Sequence, residues 1–87
     1  MRFEFDPRQS ESNHAKHGID FIAAQALWRD DARVSRMART EGEPRWLVTG
    51  RIEGRAWSAV VTIRPGTVRL ISVRRARPSE EADYDDA

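Results

Sequence analysis

The sequence RWLVTGRIEGRAWSAVVTIRPGTVRLISVRR, residues 45–75, decides the fold. It contains three runs rich in β-branched and aromatic residues, and the dipeptides Glu53-Gly54 and Pro65-Gly66 separate them. Such dipeptides are typical of tight turns between antiparallel strands. The stretch therefore predicts three antiparallel strands over residues 45–51, 56–64 and 68–75.

Two-residue turns fix the register of these strands. In that register Val61 faces Trp46 on one side and Leu70 on the other, and both hairpins agree on one buried face. The expected buried residues are Trp46, Val48, Trp57, Ala59, Val61, Ile63, Val68 and Leu70. The opposite face has an apolar centre that includes Val73, and a border of arginines that includes Arg64 and Arg75.

The N-terminal half predicts a strand and two helices. Phe3-Glu4-Phe5 alternates as a short strand does, and Asp6-Pro7 begins a helix over residues 7–17 that Gly18 ends. Because this helix has almost no apolar residues, we expect it to be a surface helix held by its ends. A second helix follows Asp20 and should cover the sheet with one apolar face, formed by Phe21, Ala24, Leu27 and Trp28.

Two further segments complete the expected fold. Residues 30–44 mix arginines with acids, and they predict either a long loop or a short edge strand. Residues 78–87 predict a short C-terminal helix that partly covers the arginine-bordered face. The expected class is α+β: an N-terminal short strand and two helices packed on an antiparallel sheet of three C-terminal strands, with a short C-terminal helix, in one domain over residues 1–87.

Composition excludes several kinds of protein. The 87 residues include no cysteine, so the chain can form neither a disulfide nor a thiolate metal site. No apolar run approaches the length that spans a membrane, and no secretion signal opens the sequence. We therefore expect a cytoplasmic protein with no membrane partner.

The positive charge of the chain is concentrated in its sheet region. Residues 79–87 hold five acids and no base, which leaves fifteen bases against nine acids, a net charge of +6, in the rest. Eight arginines and one acid lie between Arg45 and Arg77. Clustered guanidinium groups suit a polyanion, but arginines also protect the exposed edges of a soluble sheet. Charge alone leaves both interpretations open.

Three side chains could take part in acid-base or metal chemistry. His17 could transfer a proton, as imidazole groups commonly do, although a histidine at a helix C-terminus more often caps the helix. Tyr84 is the only tyrosine, and an aromatic anchor for the last helix is a commoner role than a catalytic phenol. A metal site formed by His14, His17 and Glu11 is conceivable, but it lacks the spacing of known zinc motifs.

Several motifs together resemble the BrnT family of toxins. Glu4-Phe5-Asp6-Pro7 and Lys16-His17-Gly18-Ile19 resemble its N-terminal half. Val60-Val61-Thr62, Arg64 and residues 69–76 resemble its sheet, and Glu81 with Tyr84 resembles its terminal helix. The order and the spacing of these motifs match over nearly the whole chain.

This resemblance implies a function and partners. It implies a RelE-like fold and a metal-independent endoribonuclease that cleaves RNA, inhibits translation and needs no cofactor. It also implies a BrnA-like ribbon-helix-helix antitoxin that neutralises the toxin and binds operator DNA. The toxin would then reach DNA only through the antitoxin, as a co-repressor.

The resemblance also implies site residues. A ribose 2′-hydroxyl would attack the adjacent phosphate, with His17 as base or acid and Arg64 and Arg74 offsetting the developing charge. The catalytic set is His17, Arg64, Arg74 and Tyr84, and the RNA-binding set is Lys16, Arg45, Arg69 and Arg75. The predicted register places Arg74 on the opposite face from Arg64 and Arg75. Either a bulge redirects Arg74, or one role is wrong.

Departures from the family favour a second interpretation. The last helix is usually basic before its tyrosine, whereas here it reads Pro78-Ser79-Glu80-Glu81-Ala82-Asp83. Lost cations would weaken RNA binding, so the alternative is a catalytically weak or inactive module that binds the antitoxin. A DNA-binding domain is less favoured because the sequence shows no helix-turn-helix.

Overall fold

One five-stranded sheet organises the computed structural model, which describes residues 1–38 and 41–87. The strands are β1 (Arg2–Glu4), β2 (Val34–Ala38), β3 (Arg45–Ile52), β4 (Arg55–Arg64) and β5 (Thr67–Arg75), in the order β1-β5-β4-β3-β2. The helices are α1 (Pro7–His17), α2 (Phe21–Ala24), which continues as a 3-10 helix over Gln25–Arg29, and α3 (Pro78–Asp86). The fold is α+β, as predicted.

The predicted number of sheet strands was wrong, because both edges of the three-stranded unit carry a further strand. β1 pairs in parallel with β5, and β2 pairs in antiparallel with β3. These pairings satisfy backbone groups that would otherwise be left open at the edges. β2 was hard to recognise because an edge strand tolerates exposed side chains such as Arg36 and Met37. Of the segment predicted as loop or edge strand, Arg39 and Thr40 lie outside the described residues.

The two hairpin turns have the predicted length and register. Glu53 and Gly54 both have positive φ, 49° and 81°, as a type I′ turn requires. Val61 pairs with Trp46 and with Leu70, as predicted.

The core lies between the sheet and α2 with its 3-10 extension. Phe21, Ala24 and Leu27 are fully buried, and most of the predicted sheet residues are buried, namely Val48, Trp57, Ala59, Val61, Val68 and Leu70. Ile63 is a wrong prediction, since 48% of it is exposed. It lies one residue before the end of β4, beside the turn at Pro65-Gly66, where little covers it.

A bulge at Ile71 corrects the predicted faces of the last strand. Val61 pairs with Leu70 but Val60 pairs with Ser72, so Ile71 has no partner on β4. Every residue after the bulge changes face. Val73 is consequently buried in the core, and Arg75 pairs with Trp57 on the core side, whereas both were predicted on the opposite face.

Candidate active site and nucleic-acid interface

Helix α1 is held against β5 by two buried polar side chains rather than by an apolar stripe. Asn13 lies beside the outer edge of β5, where its Oδ1 accepts from Val73 N at 3.0 Å and its Nδ2 donates to Val73 O at 2.8 Å. The same amide nitrogen donates to Ile19 O at 2.8 Å. Ser10 Oγ accepts from Phe21 N at 2.9 Å. The prediction that α1 is held by its ends is therefore incomplete.

These contacts place the C-terminal turn of α1 beside the bulge in β5. A pocket of about 290 Å³ lies there, lined by Arg8, Gln9, Ser12, Asn13, Lys16, His17, Ile71 and Ser72. We call it the His17 pocket. Gly18 ends the helix with a φ of 80°, and its N–H donates to His14 O. His17 is half-buried, while Arg8 and Lys16 are exposed.

The His17 pocket combines one titratable imidazole with two cations. An imidazole can accept or donate a proton near neutral pH. A guanidinium and an ammonium beside it can bind a phosphate and stabilise added negative charge. Arg8 and Gln9 were not predicted as site residues. Helical spacing could have identified them. Residues 8, 12 and 16, and residues 9, 13 and 17, recur every four positions and so share one side of α1 with Lys16 and His17.

The side of the sheet away from the core carries most of the remaining predicted cations. We call it the arginine face; it comprises Arg36, Arg45, Leu47, Thr49, Arg51, Ser58, Val60, Thr62, Arg64, Arg69, Ser72 and Arg74. The assignment follows from strand pairing and alternation. The bulge at Ile71 places Arg74 on this face with Arg64, as one of the two sequence interpretations expected.

Arg74 is bound by a carboxylate of α3. Its Nη1 and Nη2 donate to Oε1 and Oε2 of Glu80 at 2.7 and 2.8 Å. Glu80 also accepts from Ser58 Oγ at 2.9 Å and from Arg77 N at 2.9 Å. Chiefly because of Arg74, and although burial opposes it, the pKa of Glu80 falls to about 2. The charge of Arg74 is thus matched within the protein.

Arg64 lies at the far end of the arginine face. Its Nη2 donates to Glu43 Oε2 at 3.1 Å, and its Nη1 lies 4.0 Å from Glu4 Oε1. The hydrogen bond from Arg64 lowers the pKa of Glu43. Arg64 is six residues from Ser58 on β4, and Ser58 pairs with Arg74, so the two arginines are roughly 20 Å apart along the strand.

The other predicted cations lie in different surroundings. Arg45 is exposed at the start of β3, and Arg69 is half-buried opposite Thr62. Within residues 1–38 and 41–87, neither has an acidic partner at ion-pair distance. Arg75 lies on the core side, with its guanidinium 5.4 Å from the centre of the Trp57 ring and its Nε donating to Ala56 O at 3.2 Å.

Tyr84 is held by polar contacts at the end of α3. Its hydroxyl donates to Asp30 Oδ2 at 2.8 Å, and its ring lies 5.5 Å from the guanidinium of Arg51. The hydrogen bond to Asp30 raises the pKa of Tyr84. These contacts support the anchoring interpretation, and a catalytic role for the phenol stays a prediction.

The structure brings some predicted site residues together and keeps others apart. Lys16 and His17 share one pocket. Arg64 pairs with Thr67, four residues before Ile71, and so lies about 13 Å along β5 from that pocket. None of Arg64, Arg74 and Tyr84 lines the His17 pocket.

The two histidines do not form a common site. His14 lines a separate pocket with Phe5, Glu11 and Ile22. In the described part of the chain, no three histidine or carboxylate side chains group together as metal ligands would.

A comparison with known protein families agrees with the family resemblance predicted from the sequence. The family described as ribonuclease toxin, BrnT, of type II toxin-antitoxin systems matches residues 5–80. The chain belongs to this family. A comparison with curated proteins gives no match.

The matched part of this BrnT toxin contains both candidate regions. Residues 5–80 include the His17 pocket, all five of the predicted arginines and Glu80, whereas Tyr84 lies beyond them. Membership of a type II family also implies an antitoxin partner. Among the helices described, none is both long and apolar enough to span a membrane.

Proposed function

We propose that this BrnT toxin is a metal-independent endoribonuclease of the cytoplasm, with a RelE-like fold, that cleaves RNA and thereby inhibits translation. The observation that carries the proposal is the His17 pocket, where a half-buried imidazole lies with Lys16 and Arg8 in a cavity of about 290 Å³. Family membership supplies the ribonuclease class.

The proposed reaction is attack of a ribose 2′-hydroxyl on the adjacent phosphorus. Neutral His17 takes the 2′ proton as the new O–P bond forms, and the bond from phosphorus to the 5′ oxygen breaks. The Lys16 ammonium gives that oxygen a proton, which leaves a 2′,3′-cyclic phosphate and a free 5′-hydroxyl. Arg8 stabilises the additional negative charge on the phosphoryl oxygens.

The arginine face binds the RNA on either side of the cleaved bond. Ser72 belongs both to this face and to the His17 pocket, so a strand in the pocket can continue over the sheet. Arg45, Arg64 and Arg69 bind flanking phosphates, because none of them lines the pocket that would hold the reacting phosphate. Arg75 binds phosphate at the sheet end, and Arg74 contributes once Glu80 releases it.

We further propose a BrnA-like ribbon-helix-helix protein as the antitoxin. It neutralises the toxin and binds operator DNA, so the toxin contacts the operator only through this partner and acts as a co-repressor. Membership of a type II family supports a protein antitoxin.

Two histidine variants test the ribonuclease. His17→Ala should lower the RNA cleavage rate of the purified toxin by about 100-fold or more, as expected for loss of a general base. His14→Ala is the matched control, because it removes an imidazole one turn earlier that lines a different pocket. Cleavage should persist in EDTA. Equal activity of the two variants would refute the role of His17.

One observation favours a second candidate function, that of a catalytically weak module that binds the antitoxin and helps repress the operon. Arg51, Arg64 and Arg74 are all neutralised by acids of the same chain. Induced expression in a host lacking the antitoxin separates the candidates. Growth arrest with RNA cleavage supports the enzyme, and normal growth with retained antitoxin binding supports the module.

A further inference from the structure

Helix α3 is attached to the sheet almost entirely by charged and polar groups. A surface helix of a globular protein usually buries an apolar stripe. α3 reads PSEEADYDD and has no buried residue. The sheet surface near it includes the buried hydroxyls of Thr49 and Ser58, which bond each other at 2.7 Å. Apolar burial therefore does not explain why this helix lies where it does.

Four acids of α3 bind three arginines of the arginine face. Glu80 holds Arg74 through two hydrogen bonds, and Glu81 and Asp85 hold Arg51 at 3.0 and 3.2 Å. Asp83 holds Arg36 at 2.6 Å. These arginines belong to β5, β3 and β2, so the acids of one short helix span most of the width of the sheet. Tyr84 adds one neutral donor, to Asp30.

The same guanidinium groups would suit an RNA strand. The arginine guanidinium binds both carboxylate and phosphate through bidentate hydrogen bonds. The pairs with Arg36 and Arg51 are partly exposed, with 64% and 33% of the arginine side chains accessible. Exposed ion pairs contribute little stability, so a polyanion can replace them. Arg45, Arg64 and Arg69 continue the same face beyond α3.

We propose that α3 occupies part of the RNA-binding surface, its carboxylates standing where RNA phosphates bind, so that RNA and α3 compete for Arg36, Arg51 and Arg74. The proposal rests on the proposed RNA-binding function. It makes the C-terminal helix an internal inhibitor that RNA must displace before the whole arginine face is available.

A charge-matched pair of triple variants tests the competition. Glu81→Gln/Asp83→Asn/Asp85→Asn removes three of the inhibiting charges and keeps Glu80, whose carboxylate caps the first turn of the helix by accepting from Arg77 N. Glu11→Gln/Asp31→Asn/Glu53→Gln makes the same change in net charge, and its three acids lie outside α3 and in no ion pair of the described chain. The probe is a short single-stranded RNA of 2′-O-methyl nucleotides, which binds but cannot be cleaved by 2′-hydroxyl attack.

Fluorescence anisotropy gives the affinities. The α3 variant should bind this RNA at least about tenfold more tightly than the control variant, because it lacks three negative charges that repel the RNA phosphates. Equal affinities would overturn the proposal. If neither variant nor the unmodified toxin binds the RNA, the proposal and the RNA-binding function fail together. If the unmodified toxin cleaves ordinary RNA but the two variants bind the 2′-O-methyl RNA with equal affinity, only the α3 proposal is refuted.

Hydrogen exchange on the unmodified toxin gives an independent test without substitutions. Saturating 2′-O-methyl RNA should accelerate amide exchange in residues 78–86 and leave β4 unchanged, because displacement frees α3 from the sheet. Unchanged or slower exchange in those residues would overturn the proposal.

Discussion

Asn13 is the side chain on which the position of His17 most depends. One amide replaces the strand partner that β5 lacks at Val73, and it also fixes Ile19 beyond the end of the helix. An amide can do this because it carries both donors and an acceptor. His17 lies one turn further along the same side of α1, so the hydrogen bonds of Asn13 fix the position of His17 in the pocket.

Asn13→Asp should therefore destabilise the toxin. The carboxylate can accept from Val73 N but cannot donate to the carbonyl oxygens of Val73 and Ile19, which leaves buried acceptors unpaired. We expect a loss of about 2 kcal/mol in the free energy of unfolding, measured by urea denaturation at neutral pH. Ser12→Ala, at the exposed neighbouring position, is the control. Equal stability of the two variants would contradict this account of α1.

Glu80 gives the attachment of α3 a defined pH dependence. Its pKa is about 2 in the folded protein, against an ordinary value of 4.5. Because folding lowers this pKa, the stabilisation is fully present above about pH 4.5 and is lost as the pH falls towards about 2. Glu80→Gln should cost about 2 kcal/mol at neutral pH.

The difference in unfolding free energy between the unmodified toxin and Glu80→Gln should then shrink as the pH falls through this range. Glu53→Gln, for which no ion pair occurs in the described structure, is the control. A difference that stays constant between pH 4.5 and 2 would show that the Arg74 pair does not set the pKa.

At the scale of elements, the close approach of β3 to the 3-10 helix depends on Gly50. A Cβ at this buried position would lie 3.2 Å from Leu27 Cδ2 and 3.2 Å from Asp30 Oδ2. Asp30 in turn binds Arg51 N and Tyr84, so this contact links the core to the anchor of α3.

Gly50→Ala should lower the free energy of unfolding by about 1–3 kcal/mol, because a packed site must open to admit a methyl group. The cost should be smaller in a Leu27→Ala background, where space is available, and a double-mutant cycle in urea measures the coupling. A neutral Gly50→Ala variant, or a coupling of zero, would contradict the packing described here.

The elements also show how far the sequence predicts this structure. The hairpins and the face of α2 follow from turn residues and apolar periodicity, which are local signals. The partners of β1 and β2 depend on which edges remain open after the hairpins form, and no local pattern shows this. The bulge at Ile71 could not be predicted from the sequence, because it lies in the apolar run Leu70-Ile71. This bulge alone reversed the predicted faces of Val73 and Arg75.

The candidate site was predictable only in part, for a similar reason. Lys16 and His17 are neighbours in the sequence and remain neighbours in the pocket. The family resemblance grouped Arg64 and Arg74 with them, but the length of β4 separates the two arginines, and acids elsewhere in the chain bind both.

At the scale of the whole molecule, RNA binding should depend on salt through the arginine face. Each phosphate contact on a single strand contributes a slope of about −0.7 in log K against log salt. Arg45→Ala and Arg69→Ala should each reduce the slope by about that amount in anisotropy titrations with 2′-O-methyl RNA. Arg29→Ala, exposed at the end of the 3-10 helix, should leave it unchanged. If all three variants behaved alike, the arginine face would not be the binding surface.

Two RNAs that differ by one oxygen atom test whether this toxin cleaves by attack of the 2′-hydroxyl. Purified toxin in EDTA is incubated with an RNA that it cleaves, and with the same RNA carrying a single 2′-deoxynucleotide at the cleaved position. We expect a 2′,3′-cyclic phosphate and a 5′-hydroxyl from the first RNA and no cleavage at that position in the second. Cleavage of the deoxy-substituted bond, or loss of all cleavage in EDTA, would contradict this mechanism.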